Sequence, residues 1–298
     1  MAHSPLTVFC GKGGVGKTTL SLAFGLAQAS RGRRVVVVTS HPLEELAVTV
    51  SLHGLAERLP QAAENLFVIH IDPRELLARR VRQQLPSLLA SAVLSNRIYQ
   101  GLVEVAPGLK EVAFLARLRD LASGSQLEEQ QFDLLVWDAP ATGHFLQTIR
   151  VARNFDTYLT GPFAIIGREL IEFFSNPEAL NVIPVTTLEQ MAVEETLELF
   201  DKLTNDLQIV PTALVCNLVS PLLAAPAAEL ENLKEFAGSM QGPSDLEFIL
   251  KRHDFERELF EKVSATASRP CYPVERVQGV LPDLDLLVAV SEQLTGIL

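Results

Sequence analysis

The chain has 298 residues, 48% hydrophobic and 20% charged, enough to bury a sizeable core in one large domain or two modest ones. Its 25 Lys and Arg against 36 Asp and Glu leave a net charge of -11. Neutralising phosphates takes a basic face, so loose nucleic-acid binding and adsorption to anionic lipid are not expected.

Mean hydropathy is +0.22, high for a chain whose longest apolar runs fall far short of the ~18–20 residues that span a bilayer. Met1–Pro5 lacks the charged and apolar regions of a signal peptide and passes straight into a strand-like run, so a cytoplasmic protein without stable membrane insertion is expected. The cysteines, Cys10, Cys216 and Cys271, are far apart and form no C-x-x-C pair, which disfavours a disulfide framework or a thiolate zinc site. Cys10 and Cys216 each close an apolar run and read as buried thiols.

Taken in chain order, strands are predicted at Thr7–Cys10, Val35–Thr39, Phe67–Ile71, Leu134–Trp137, Val182–Val185 and Thr212–Cys216, with a last one near Cys271–Val274. Their near-continuous hydrophobicity suits a parallel sheet covered on both faces. Helical stretches lie between them, so the fold class is α/β, a doubly wound, mostly parallel sheet. The first crossover helix runs from Thr18 to Ser30, with Leu20, Phe24 and Ala27 on one face, and stops at Arg31-Gly32. Two stretches exceed an ordinary crossover: Pro73 to about Gln131, and Arg150 to Asn181. These read as helical insertions forming a subdomain, at about 73–131 and 150–180, within one domain spanning 1–298. Ser220–Ala228 and Ala237–Ser244 read as loops.

The decisive motif is Gly11-Lys12-Gly13-Gly14-Val15-Gly16-Lys17-Thr18-Thr19, which fits G-x-x-x-x-G-K-S/T between a strand and a helix. Glycines let successive backbone N–H groups turn inward as an anion nest, and the helix that follows points its positive end at the phosphates. Lys17 then serves the β- and γ-phosphates, and the Thr18 hydroxyl ligates Mg2+. Lys12, a second lysine inside the loop, reads either as a solvated side chain or as a cation for a phosphate of a neighbouring subunit. Leu134–Trp137 runs into Asp138, a carboxylate placed to hold magnesium through water beside Thr18. The Pro/Gly-punctuated segment Ala139–His144 reads as a γ-phosphate sensor or a plain strand–helix turn, and Asn217 as an adenine contact or a turn former.

These residues carry a family resemblance. The loop Gly11–Thr19 resembles the deviant phosphate loop of the MinD/ParA/nitrogenase-iron-protein class. Within it the chain resembles the ArsA group, which includes the arsenite-pump ATPase and the guided-entry ATPase for tail-anchored proteins. Supporting strings are Ile71-Asp72-Pro73, Ala106–Glu111, Asp138–His144, Glu194-Glu195-Thr196, Val215-Cys216-Asn217 and Pro273–Gly279, in the family's order. The resemblance implies an ATP/ADP-binding, Mg2+-dependent ATPase that works as a dimer, with itself or with a paralogous subunit. It sends Lys12 to the partner's nucleotide, assigns Asp138 to switch II, and places Glu195 near the base of the partner's nucleotide. Asn217, Pro273 and Val274 match adenine-contacting positions. A hydrophobic protein client would use the helical subdomain, where Leu76, Leu77, Val81, Leu85, Leu88, Leu89, Val93 and Leu94, with Phe163, Ile166, Leu170, Ile171, Phe173 and Phe174, line a groove or form ordinary core.

Switch I departs from the family. His41, in Thr39-Ser40-His41-Pro42, stands where an aspartate orients the attacking water. An imidazole can also orient water or accept its proton. Two rival readings follow: a weakly hydrolysing pseudo-ATPase or heterodimer subunit, and a ParA/MinD-like positioning ATPase. Glu44 or Glu45 substitutes for the aspartate only if the loop slips. The family's zinc C-x-x-C and the arsenite pump's thiols have no match here, which disfavours arsenite transport.

Overall fold

The computed structural model describes residues 6–43, 55–97, 108–125, 130–158, 162–239, 245–277 and 283–296. Strands β1 (Leu6–Gly11), β2 (Val35–Thr39), β3 (Leu66–His70), β4 (Leu134–Ala141), β5 (Leu180–Thr187), β6 (Leu214–Val219) and β7 (Cys271–Glu275) form one sheet in the order β3-β2-β4-β1-β5-β6-β7. Every neighbouring pair is parallel. The helices are α1 (Lys17–Ala29), α2 (Pro60–Asn65), α3 (Pro73–Gln84), α4 (Ser87–Ser95), α5 (Leu109–Ala122), α6 (Thr142–Tyr158), α7 (Pro162–Ser175), α8 (Gln190–Asp201), α9 (Ala227–Ser239), α10 (Asp245–Ala267) and α11 (Asp283–Gln293).

The apolar runs behave as double coverage requires. All residues of β1 and β2 are buried. Alternation of side chains then sorts them between two cores. Phe9, Val35, Val37, Leu134, Val136, Ile183 and Val185 face α1 and α11. Val8, Val36, Val38, Leu135, Trp137 and Val182 face α5, α6 and α7. A third cluster seats α8 and α10 on β6. Much of the high hydropathy therefore lies in the central strands, which are covered on both faces, while the edge strands β3 and β7 are only part-buried.

The insertions are helical as expected: α3, α4 and α5 fill the first among the described residues, and α6 and α7 the second. Their apolar residues divide. Leu170 and Phe174 of α7 are core, together with Val112, Leu115 and Leu118 of α5. Leu88 of α4 is 86% exposed, and Leu89 is exposed as well. Elsewhere the predicted loops are partly ordered. Pro221–Ala224 is a 3-10 turn, and α9 starts at Ala227 because the alanine-rich run favours helix over the single proline break. Residues 240–244 of the second expected loop lie outside the described residues. The last helix, α11, packs on α1 and buries Val290, with Leu294 buried just beyond its end, so its apolar side serves the core.

This topology positions the site. From β1 the chain moves to β2 and β3 on one side and later to β5, β6 and β7 on the other. The crevice at such a switch point, outside the carboxyl ends of the strands, is where open parallel sheets bind ligands.

Candidate functional site

Residues 12–16 join β1 to α1 at that crevice. Gly11, Gly14 and Gly16 have φ of 143°, 84° and 89°. Two of them are also fixed by space. A Cβ on Gly11 would meet the Val185 carbonyl oxygen at 2.3 Å, and one on Gly16 the Asn217 side-chain nitrogen at 2.3 Å. The loop therefore needs glycine both for its turn and for the close approach of β5 and β6.

Lys17, only 9% exposed, donates from Nζ to the Lys12 carbonyl at 2.8 Å. Burial pushes its ammonium below the ordinary lysine range, opposed by Asp138, Cys10 and Glu195. Thr18 donates from Oγ1 to Asp138 Oδ2 at 2.7 Å, joining residues 120 positions apart. Asp138 is 2% exposed, and burial raises its carboxyl above the usual range against the pull of Thr18, Lys17 and His41. It lies inside β4, which continues to Ala141, and not at the strand's end as the sequence suggested. Cys10, behind the loop, is pushed up to about 12 by burial and is inert as a thiol at neutral pH.

The chain also brings together what the resemblance grouped. Asn217 and Val274 are partners across β6 and β7, and Cys216 faces Pro273. Asn217 donates from Nδ2 to the Val15 carbonyl at 2.8 Å, which leaves its Oδ1 as an acceptor. Lys12 and Glu195, both directed to a partner's nucleotide by the resemblance, pair with each other within the chain at 3.4 Å. Such a half-exposed pair is worth at most about 1 kcal/mol and is readily exchanged. His41 follows β2, its carbonyl accepting from Thr39 Oγ1 at 2.8 Å. Glu44 and Glu45 lie outside the described residues.

One contact was not foreseen. Ser40 donates from Oγ to the Asp138 carbonyl, tying the segment after β2 to β4 beside the carboxylate. Its sequence signal was only its place next to His41.

The donor set suits magnesium. Among the described residues no group of three or more His, Cys, Asp or Glu offers an all-protein metal cage. A hydroxyl beside one carboxylate, opposite a phosphate nest, is what a cation that keeps its waters requires. Were magnesium held at Asp138, the proton would compete with it for the carboxylate. Because burial raises this carboxyl, magnesium-dependent nucleotide binding is expected to weaken on acidification, and to start doing so above the pH range of an ordinary aspartate. In Asp138→Asn the magnesium effect and its pH dependence should vanish together, as titration of nucleotide affinity with and without magnesium would show.

Residues 5–166 match the family model described as anion-transporting ATPase. Over 235 residues the chain is 25% identical to the arsenical pump-driving ATPase of Acidiphilium multivorum, covering 73% of this chain and 40% of that protein. It is 31% identical over 156 residues to the putative arsenical pump-driving ATPase 2 of Aquifex aeolicus, covering 51% of this chain and 50% of the relative. It is 28% identical over 142 residues to the ATPase ASNA1 homolog 1 of Paramecium tetraurelia, covering 47% and 41%. The chain thus spans half or less of each of these three relatives.

Proposed function

The chain belongs to the anion-transporting ATPase family, and from that premise we propose that it hydrolyses ATP with magnesium as a dimeric, cytoplasmic switch. The observation that carries the reading is the Thr18–Asp138 hydrogen bond at the mouth of the glycine loop, with Lys17 alongside. The loop amides and the start of α1 bind the phosphates. Lys17 exchanges the Lys12 carbonyl for phosphate oxygens. Thr18 and Asp138 would hold magnesium, which would supply charge neutralisation on the phosphates. An imidazole nitrogen of His41 orients the attacking water and accepts its proton. Asn217 Oδ1 accepts from the exocyclic amine of adenine, with Pro273 and Val274 beside the base. Lys12 leaves Glu195 for the phosphates of the partner, so closure of the dimer completes each site.

The test is sedimentation with ADP and with a non-hydrolysable ATP analogue, alongside steady-state turnover. The native chain is expected to dimerise with the analogue. Lys12→Ala should remain monomeric and lose at least about tenfold in turnover. A monomer under both nucleotide conditions would remove the role assigned to Lys12.

Binding of a hydrophobic protein segment by the helical subdomain is a second reading, favoured by one observation. A groove of about 730 Å³ has Leu76, Leu77, Val112, Ala116, Phe155 and Ile166 among its walls, and Leu88, Leu89 and Ile165, elsewhere on the helices of the two insertions, are exposed.

A further inference from the structure

β6 ends in a kink that its own residues do not explain. Asn217 pairs with Val274 and Val219 with Glu275, so the register shifts at Leu218, which has a φ of 59° and is 41% exposed. A non-glycine residue in the left-handed region is uncommon and persists only where its surroundings hold it. The kink matters because of the residue before it. Asn217 is 6% exposed and donates its amide to the Val15 carbonyl of the phosphate loop. A bulge re-aims the side chains beside it, and relaxation of Leu218 to extended backbone would turn that amide away.

Two ties fix the chain just after the kink. The Val219 carbonyl accepts from the Arg276 amide at 2.9 Å, beyond the end of β7. The next amide, that of Ser220, donates to Glu256 Oε2 at 2.9 Å. Glu256 stands on α10, 36 positions away, and is only 4% exposed. Its other oxygen accepts from Arg252 Nε at 2.9 Å, so a guanidinium one turn back pairs the buried charge.

α10 is itself seated on β6, since Leu259 and Val263 share a core cluster with Cys216 and Val219. The other polar side chain that α10 buries, His253, makes no hydrogen bond through either ring nitrogen. Among the described residues the polar tie from α10 to the end of β6 is therefore Glu256. A carboxylate is costly to bury, and water would satisfy a lone amide at a strand end. What a charged acceptor on a packed helix adds is a short, directional bond that holds Ser220 in one place.

We propose that Glu256 is a positioning residue for the base end of the nucleotide site: by holding the Ser220 amide it locks the kink at Leu218 and aims the Asn217 amide at Val15 and at adenine. The proposal rests on the reading of Asn217 as the adenine contact. Glu256 acts through β6 and touches neither the phosphates nor the base.

The test measures, with magnesium present, the affinity of the full chain for a non-hydrolysable ATP analogue and for inorganic tripolyphosphate, which lacks a base. Glu256→Ala is expected to weaken the analogue at least about fivefold and to leave tripolyphosphate within about twofold. Glu256→Gln keeps an acceptor for Ser220 and should stay within about twofold of the native chain for both. Asn217→Ala should show the same base-selective loss, and Glu256→Ala added to it should cost no more than about a further twofold, because both act on one contact. Should Glu256→Ala fail to fold, Ser220→Pro reads the same tie from the other side. It deletes the donor at a φ of -65°, which proline adopts, and should give the same base-selective loss. Equal losses for the two ligands in Glu256→Ala would show a role in the whole fold and overturn the proposal. A loss in Asn217→Ala but not in Glu256→Ala would overturn it while leaving the adenine reading of Asn217 standing. No loss in Asn217→Ala would overturn that reading, and the role of Glu256 with it.

Discussion

Lys17→Ala is expected to lower magnesium-dependent ATP turnover by about a hundred- to a thousand-fold while leaving the fold intact. The magnitude follows from what the ammonium does. In the proposed mechanism it stands at the end of the loop beside the γ-phosphate oxygens, where charge is redistributed in the transition state, and removing one preorganised donor from such a place costs about 10²–10³ in rate. The structure adds a reason for the fold to survive. Lys17 is buried against its preference, with its ammonium held by the Lys12 carbonyl and by the fields of Asp138, Cys10 and Glu195, which do not outweigh burial. Burial makes its charged form costly, so truncation relieves a strained group as well as removing a functional one. The melting temperature of nucleotide-free Lys17→Ala should therefore match or exceed that of the native chain. Asp138→Ala should cost a similar factor in turnover. The double variant should cost little more than either alone, because the two residues act on one phosphate and one cation. Additive losses would show that they act on separate steps, and native-like turnover in Lys17→Ala would remove the ATPase reading altogether.

How much of this was legible beforehand can be judged residue by residue. The glycine loop was, because each of its positions answers to a local rule about φ, amide direction or charge. The strands were legible as well, because a sheet covered on both faces leaves an unbroken apolar run in the chain. Their ends were less so. β4 runs on through Asp138 to Ala141, with Gly11 facing Ala141, and that pairing depends on a neighbour absent from the local sequence. Asn217 shows the limit more sharply. It sits inside β6 at a register shift, next to Leu218 with φ of 59°. A bulge of this kind re-aims a side chain. Here it accompanies an amide turned onto Val15, with no glycine or asparagine at the left-handed residue to announce it. The Lys12–Glu195 pair and the unpartnered Trp137 indole are likewise products of packing between elements far apart in the chain.

The second large effect concerns His41. An aspartate at this position accepts a proton from the attacking water and holds it in line, whereas a neutral imidazole does so with one nitrogen and no charge. His41→Asp is expected to raise turnover at least about tenfold, a modest share of the 10²–10⁴ that a positioned base can supply. The surroundings bear on the sign. His41 lies close enough to Asp138 for its charge to favour the carboxylate, so an aspartate here brings a second negative charge to the same corner. Without magnesium that repulsion raises the Asp138 carboxyl further. With magnesium bound, the cation offsets it. The gain in His41→Asp should accordingly need more magnesium than native turnover does, and it should shrink as pH falls. Native turnover above that of Lys17→Ala, rising in His41→Asp, fits an enzyme slowed by its imidazole. Native turnover no higher than that of Lys17→Ala, with a sharp rise in His41→Asp, identifies a nucleotide-binding switch that has given up hydrolysis. A fall in His41→Asp would mean that the imidazole is the better base in this site, and that the departure from the family's aspartate is an adaptation of the chemistry.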